Sequence, residues 1–179
     1  VSNEPRLAER IEVHSINAIG MRLYKAHFGN VKIATDENIR KLIEGASREI
    51  GGHKFSHRFL ITEWEQIVDA WQLDTWESYR DIIRLGRKTR LPEQQRSILW
   101  SIFERVLADL KEKDLLTFPG LFSKLTQVIG TLKTPPFDYV VVDESQDMGI
   151  PHIRFFAALG ANRYDVLFFA GDLGQRIFQ

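Results

Sequence analysis

One stretch, Phe137–Asp147, constrains the fold of this chain more than any other. It reads Phe-Asp-Tyr-Val-Val-Val-Asp-Glu-Ser-Gln-Asp, so an apolar run leads directly into three carboxylates and one amide. A continuous apolar run of this length predicts a strand buried on both faces, as in a parallel sheet covered by helices. Open α/β sheets bind their ligands just beyond the carboxyl ends of such strands. The acids are therefore expected at a ligand-binding edge.

Asp143 and Glu144 are adjacent in the sequence, and their charges need a partner. Nearby carboxylates repel each other, and burial disfavours their ionised form. A divalent cation bound together with a phosphate substrate is the usual resolution. The competing interpretation is a strand that ends in a solvated acidic turn.

A second stretch repeats this design. Val166–Ala170 is an apolar run that leads into a Gly-Asp-x-x-Gln turn, and 150–159, opened by Pro151, has the pattern of a helix. The order strand, helix, strand predicts a βαβ unit with a right-handed crossover. Parallel strands would then place four side chains along one edge of one sheet: Asp143, Glu144, Asp172 and Gln175.

Composition narrows the class of protein. Apolar residues make up 44% of the chain and charged residues 27%, which is typical of a folded globular protein and excludes a disordered one. The 24 basic and 24 acidic residues balance, so nucleic acid could be bound only through local patches. The absence of cysteine excludes disulfides and zinc–thiolate sites and fits a reducing, cytoplasmic location. No apolar run is long enough to predict a membrane span.

A long helical segment separates two α/β pieces. Periodic apolar residues predict helices over 36–50, 59–71, 75–85, 92–113 and 118–132. We therefore expect a helical insertion over 35–131, framed by α/β pieces over 1–34 and 132–179. In the first piece, Ile11–Val13 has the alternation of a short strand, and Ser15 is an expected N-cap for the helix that follows.

At this point the residues resemble a known family. Val140–Asp147 is similar to the Walker B box of superfamily 1 helicases of the UvrD/Rep/PcrA type, which is four apolar residues and then Asp-Glu-x-Gln-Asp. Gly171–Phe178 is similar to motif III of that family, Gly-Asp-x-x-Gln-x-Ile-aromatic. The resemblance implies an α/β fold, namely part of the parallel sheet of a RecA-like P-loop NTPase with a large all-helical insertion.

The resemblance also implies roles in ATP hydrolysis. Asp143 would hold the Mg²⁺ that bridges the terminal phosphates of ATP, and Glu144 would orient and deprotonate the attacking water. Gln175 would sense the γ-phosphate. Gln146 and Asp147 would connect the Walker B box to neighbouring motifs. Asp172 would brace the turn that carries Gln175.

DNA, single-stranded or at a junction, is the partner that the resemblance implies. His14 and Ser15 resemble a DNA-contacting segment near motif Ia. Phe178 stands where the family has an aromatic side chain that couples nucleotide state to the DNA track, although core packing is an equal alternative. In this family the helical insertion lies over the duplex or the incoming strand, which makes a basic patch a candidate phosphate contact. That patch contains Arg84, Arg87, Lys88, Arg90 and Arg96, and its alternative is an ordinary solvated loop.

The phosphate-binding loop of the family is missing from this chain. No G-x-x-x-x-G-K-[ST] motif occurs anywhere in it, so the amides and lysine that cradle a triphosphate are absent. We therefore expect a fragment of a longer helicase whose partners include the rest of that chain, and we expect this piece alone to be inactive. One alternative is a non-catalytic nucleic-acid or protein interaction module with a vestigial ATPase sheet. Another is an unrelated P-loop ATPase, against which Gln146, Asp147 and the 171–175 turn argue.

Overall fold

The structure, a computed structural model, describes residues 8–83 and 91–172. These residues form seven α-helices and two small parallel sheets of two strands each. The helices are α1 (Ile16–Phe28), α2 (Asp36–Ile50), α3 (His57–Glu63), α4 (Trp76–Asp81), α5 (Glu93–Glu112), α6 (Phe118–Ile129) and α7 (Ile150–Leu159). The strands are β1 (Lys32–Ile33), β2 (Leu115–Leu116), β3 (Val140–Val142) and β4 (Leu167–Phe169). Most of the predicted helices are thus confirmed.

Local sequence signals explain where the helices begin and end. Ser15 caps α1, as predicted, because its hydroxyl accepts a hydrogen bond from the Ala18 amide. Thr35 and Asn38 form a reciprocal capping box at the start of α2, and Gly51 ends that helix at a φ of 58°. The helix predicted over 59–71 continues from α3 into a π-helical stretch, Trp64–Asp69. Such stretches are rare, and they occur frequently at functional sites.

The helices α2 to α5 and the π-helical stretch enclose one hydrophobic cluster, which we call the first core. Its centre is aromatic: Trp64, Tyr79 and Phe103 are at most 1% exposed. Glu63 is fully buried in this cluster and accepts a hydrogen bond of 2.8 Å from the Tyr79 hydroxyl. Because a buried carboxylate is costly without such donors, this contact restricts how the helices can pack.

The helices α1, α6 and α7 enclose a second cluster, the second core. Leu121, Phe122, Leu125 and Phe155 are fully buried there. The approach of α1 to α6 requires a glycine, since a Cβ atom on Gly20 would lie 2.6 Å from the Phe122 ring. The predicted helical segment 35–131 is therefore divided between two cores, with α6 in the second.

The chain passes between the two cores at β1 and β2, which lie side by side. They pair in parallel, with Lys32 opposite Leu115 and Ile33 opposite Leu116. The chain therefore leaves the second core and returns to it at adjacent positions. Each strand is immediately followed by a threonine-capped helix, α2 after Thr35 and α6 after Thr117.

The strands β3 and β4 are parallel neighbours, as the sequence predicted. Val140 pairs with Leu167, Val141 with Phe168 and Val142 with Phe169. The fold is accordingly mixed α/β and mainly helical. The prediction of a strand buried on both faces is wrong, because Val141 is 73% exposed and Phe168 64% exposed. One face of this sheet packs on the second core, and the other face is open.

Two further observations complete the fold. Ile11–Val13 was predicted as a strand, but these residues have no regular structure, and Val13 is 90% exposed. Alternation of apolar residues alone does not make a strand, because a strand also needs a partner to pair with. Along the described ranges, 8–83 and 91–172, no helix is both long enough and apolar enough to span a membrane.

Candidate functional site

The polar residues that follow β3 and β4 meet at one edge of the sheet. The ladder continues beyond the strands through two backbone hydrogen bonds, from Ala170 to the Val142 carbonyl at 2.8 Å and from Ser145 to the Ala170 carbonyl at 2.9 Å. The two chain segments therefore leave the sheet together. We call the polar group that they carry the acidic rim; its described members are Asp143, Glu144, Gln146, Asp147 and Asp172.

Gln146 bridges the two segments of the acidic rim. Its side-chain carbonyl accepts a hydrogen bond of 3.1 Å from the backbone amide of Asp172. Its side-chain NH₂ group donates to the carboxylate of Glu144. One half-buried amide thus connects the turn after β4 to an acid at the end of β3. The resemblance implied a connecting role for Gln146 without indicating these partners.

Gly171 is the residue that permits this bridge. A Cβ atom at that position would lie 2.5 Å from Oε1 of Gln146 and 2.7 Å from Oγ of Ser145. Real Cβ atoms essentially never approach other atoms so closely. The glycine before Asp172 is therefore explained by the close approach of the two segments.

The backbone of the first segment is sharply turned. Glu144 has a left-handed conformation, with φ 52° and ψ 39°, which is uncommon for a residue other than glycine. Its amide donates to Oδ1 of Asp143 at 2.9 Å, and a 3₁₀ turn, Ser145–Asp147, follows. Strained conformations of this kind are concentrated at functional sites.

The carboxylates of the rim are exposed to solvent. Asp143, Glu144, Asp147 and Asp172 all lie on the surface. Burial therefore does not make the charges of Asp143 and Glu144 costly, because both side chains are exposed. Their placement at the end of paired parallel strands is what favours a binding site.

The donor set fits one kind of cation better than others. Among the described residues, no three histidine, aspartate or glutamate side chains converge on a ready-made metal site. Mg²⁺ is commonly held by one or two carboxylates, with water and substrate phosphates completing its shell. The rim therefore has suitable ligands for Mg²⁺ in Asp143 and its neighbours. Gln175 and Phe178, two further predicted site residues, lie outside the described ranges.

His152 is a residue of this region that sequence reasoning missed. Its Nδ1 accepts a hydrogen bond of 3.3 Å from the Gly149 amide at the start of α7, and its ring packs edge-on against Phe122 at 4.5 Å. Burial lowers the pKa of this imidazole, so its neutral form is favoured. The sequence feature that could have identified His152 is its spacing from Gly149, because a polar side chain at the third helical position can reach back to the N-cap amide.

His14 and Ser15 are not brought to the acidic rim by any contact that the structure describes. The Ser15 hydroxyl caps α1, and His14 pairs with Glu12 at 3.2 Å. Glu12 also binds Arg22, whose guanidinium lies 5.9 Å from the centre of the Phe137 ring. Phe137 precedes β3, whereas the acids follow it.

The predicted basic patch is mostly outside the described residues, since Arg84, Arg87, Lys88 and Arg90 fall in the 84–90 range. Its described member, Arg96, donates a hydrogen bond of 2.6 Å to the carbonyl of Arg80. Arg96 is partly buried and serves the helical packing there. The role of the patch in nucleic-acid binding remains a prediction.

Comparison with known proteins gives no family for this chain. No protein-family model matches it, and no curated protein is significantly similar to it. The geometry of the rim and the motifs are therefore the features that bear on function.

Proposed function

We propose that this chain is part of an ATP-dependent DNA helicase or translocase of the UvrD-like type and supplies the acids for hydrolysis of Mg-ATP. The supporting observation is the acidic rim, in which the Asp-Glu-x-Gln-Asp tip of β3 and the Gly-Asp turn after β4 are joined through Gln146. Residues of the two stretches that resemble motifs of this family, Gln146 in the first and Asp172 in the second, are thus in contact although they are 26 positions apart in the sequence. A solvated acidic turn would not require such a meeting.

The residues of the rim have separable tasks under this proposal. Mg-ATP, when bound, supplies an electrophilic γ-phosphoryl group and the cation that balances its charge. Asp143 offers a carboxylate for that cation. Glu144 accepts a proton from water at its carboxylate, and Gln146 holds this carboxylate in position through its NH₂ group. Asp172 offers a second acid from the neighbouring segment.

The open face of the β3–β4 sheet supports the prediction that further parts of the same protein complete the domain. Tyr139, Val141 and Phe168 are each more than 60% exposed. A sheet of two strands is marginal by itself in water, and parallel sheets are ordinarily covered on both faces. The phosphate loop that the rim requires is proposed to belong to the same missing layer.

A non-catalytic interaction module is the second candidate. The same open apolar face favours it, because exposed aromatic and branched side chains also mark surfaces that bind other proteins. In that case the acids of the rim would have no catalytic task. The two candidates make different predictions about whether the protein contains a phosphate loop and about whether replacement of Glu144 lowers ATP hydrolysis.

Two observations separate these candidates. The helicase proposal requires that the gene encode G-x-x-x-x-G-K-[ST] upstream of Val1, whereas a natural start at that residue favours the module. In the protein that carries this loop, E144Q should lower kcat for ATP hydrolysis by about 10²- to 10⁴-fold while the KM for ATP changes little. N38Q, in the capping box of α2, is a control that leaves the rim intact. Equal activity of E144Q and N38Q would contradict the proposal.

The 179-residue chain by itself should hydrolyse no ATP above background, with or without DNA. It lacks the amides and the lysine that compensate the charge of a triphosphate. Robust DNA-stimulated hydrolysis by the isolated chain would show that this part of the account is wrong.

A further inference from the structure

The last turn of the helix that contains the π-helical stretch, Asp69–Gln72, reaches from the first core to the second. Oδ1 of Asp69 accepts a hydrogen bond of 2.6 Å from the Thr117 hydroxyl, although the two residues are 48 positions apart in the sequence. The guanidinium of Arg154, on α7, lies 5.9 Å from the centre of the Trp71 ring, which is within the range of a cation–π contact. The turn therefore contacts both α6 and α7.

Gln72 holds this turn in shape. It has a left-handed backbone with a φ of 54°, and its side-chain NH₂ group donates to both the carbonyl and Oδ1 of Asp69 at 2.7 Å. The side-chain carbonyl oxygen of Gln72, Oε1, faces α6, since it would lie 3.2 Å from a Cβ atom on Gly120. The turn is thus ordered by its own contacts and seated closely on the first turn of α6.

Thr117 serves two partners with one hydroxyl group. As the N-cap of α6 it accepts a hydrogen bond of 3.1 Å from the Gly120 amide, and it donates to Asp69. Thr117 is 8% exposed, so the bond to Asp69 is shielded from competing water. Loss of the Asp69 acceptor leaves the cap itself available, which makes the two roles separable by mutation.

Apart from the contacts of this turn, the two cores are connected by two short segments of the chain. The chain crosses at β1 and β2, two residues each, and Asp114, just before β2, has a left-handed backbone with a φ of 52°. A hinge needs only a few loop or element-terminal residues to absorb a change in orientation, and the crossings consist of such residues. A cavity of about 300 Å³ lies between the crossings and the turn, with Tyr24, Trp64, Val68 and Leu116 among its walls.

The Asp69 contact is costly to maintain in its charged form. Burial, against the hydrogen bonds from Thr117 and Gln72 and with a smaller contribution from the nearby Glu65, raises the pKa of Asp69 to about 6. The other charged groups that line the cavity are Asp74, Lys111, Asp114 and Lys124.

We propose that the turn Asp69–Gln72 is a latch that holds the first core closed against α6 and α7, and that β1 and β2 are the hinge about which it opens. Release of the latch reorients the first core and leaves both hydrophobic clusters intact. The latch also contacts α7, which begins three residues after Asp147 of the acidic rim. Its existence does not depend on the rim binding a nucleotide.

Distance measurement between the two cores tests the latch. The chain has no cysteine, so spin labels can be attached at R40C on α2 and A157C on α7, both exposed positions, without a background signal. We expect a single narrow distance distribution in the otherwise unchanged chain. D69A and T117V should add a displaced population, severalfold larger than any in the parent, and R154A should do so more weakly because its contact is exposed.

Matched variants separate the latch from general damage. T126V removes a hydroxyl from the same helix whose hydrogen bond goes to the Phe122 carbonyl within α6, so its distance distribution should equal that of the parent. D69N and T117S keep the hydrogen bond and should also resemble the parent. If D69A or T117V fails to fold, the exposed R154A still reports on the latch. Distributions of D69A, T117V and R154A that match that of T126V would overturn the proposal.

Discussion

The first core and the β3–β4 sheet satisfy their apolar residues in opposite ways. In the first core, Trp64, Tyr79 and Phe103 lie among helices that cover them on every side, with exposures of 1% or less. In the sheet, Val141 and Phe168 pair across the strands and are still 73% and 64% exposed. A helical bundle can complete its own burial, whereas a sheet of two strands offers a second face to another layer. The first core therefore buries its own apolar side chains, whereas the β3–β4 sheet leaves one apolar face exposed.

Replacement of equivalent aromatic residues in the two regions should give the largest contrast. F103A removes a fully buried ring and should lower the free energy of unfolding by about 3–5 kcal/mol. F168A removes a mainly exposed ring and should change it by no more than about 0.5 kcal/mol. Chemical denaturation of both variants measures the contrast. Equal losses would mean that the open face is buried in solution.

G171A should damage the acidic rim, with a smaller effect on stability. Its Cβ atom would collide with Gln146 and Ser145, so we expect a loss of about 1–3 kcal/mol and displaced amide resonances for Glu144 and Asp172. G45A is the control, because nothing lies within 4 Å of a Cβ atom there and the site is inside α2. That variant should gain about 0.5–1 kcal/mol from helix propensity. A neutral G171A would contradict the close approach of the two segments.

The protonated carboxyl of Asp69 should make a contribution to stability that is lost as pH rises. Because the pKa of Asp69 is raised in the folded state to about 6 from 3.8, the contribution is complete below about pH 3.8 and is lost as pH rises through about 6. The neutral, isosteric D69N avoids this loss. It should be more stable than the parent above pH 6 by about 1–2 kcal/mol, after allowance for solvent screening, and equally stable near pH 4. Urea titrations at the two pH values give the comparison, and a difference independent of pH would be inconsistent with a raised pKa.

The smallest expected change in stability comes from replacing Phe168 on the open face of the β3–β4 sheet. F168T should leave the free energy of unfolding within about 0.5 kcal/mol of the parent and should reduce binding of a hydrophobic dye to the folded chain. M21T, at a half-buried position against the second core, is a control that alters hydrophobicity elsewhere. If dye binding falls equally in both variants, the open face of the β3–β4 sheet is not the surface that binds the dye.

The sequence predicted those features that depend on local periodicity. The spacing of Ile39, Ile43 and Ala46 indicated α2, and the two apolar runs before Asp143 and Gly171 indicated neighbouring parallel strands. Apolar spacing does not say which helices share a core, so the transfer of α6 to the second core was not foreseen.

Contacts between residues that are distant in the sequence could not be predicted from sequence patterns. The bridge from Gln146 to the Asp172 amide and the bond from Thr117 to Asp69 join positions 26 and 48 residues apart. Each depends on how elements pack, and short polar side chains in a single sequence do not indicate their partners. The exposure of Val141 was missed for the related reason that an apolar strand implies a cover without supplying one.

Paramagnetic broadening by Mn²⁺ tests whether the segments after β3 and β4 bind one cation together, as we propose. Mn²⁺ substitutes for Mg²⁺ at oxygen ligands, and its effect on amide resonances detects even weak binding. We predict selective broadening of residues 143–147 together with 171–172 in the parent chain, reduced in D143N and retained in D138N, which alters an exposed acid before β3. Broadening confined to one of the two segments, or unchanged by D143N, would contradict the account.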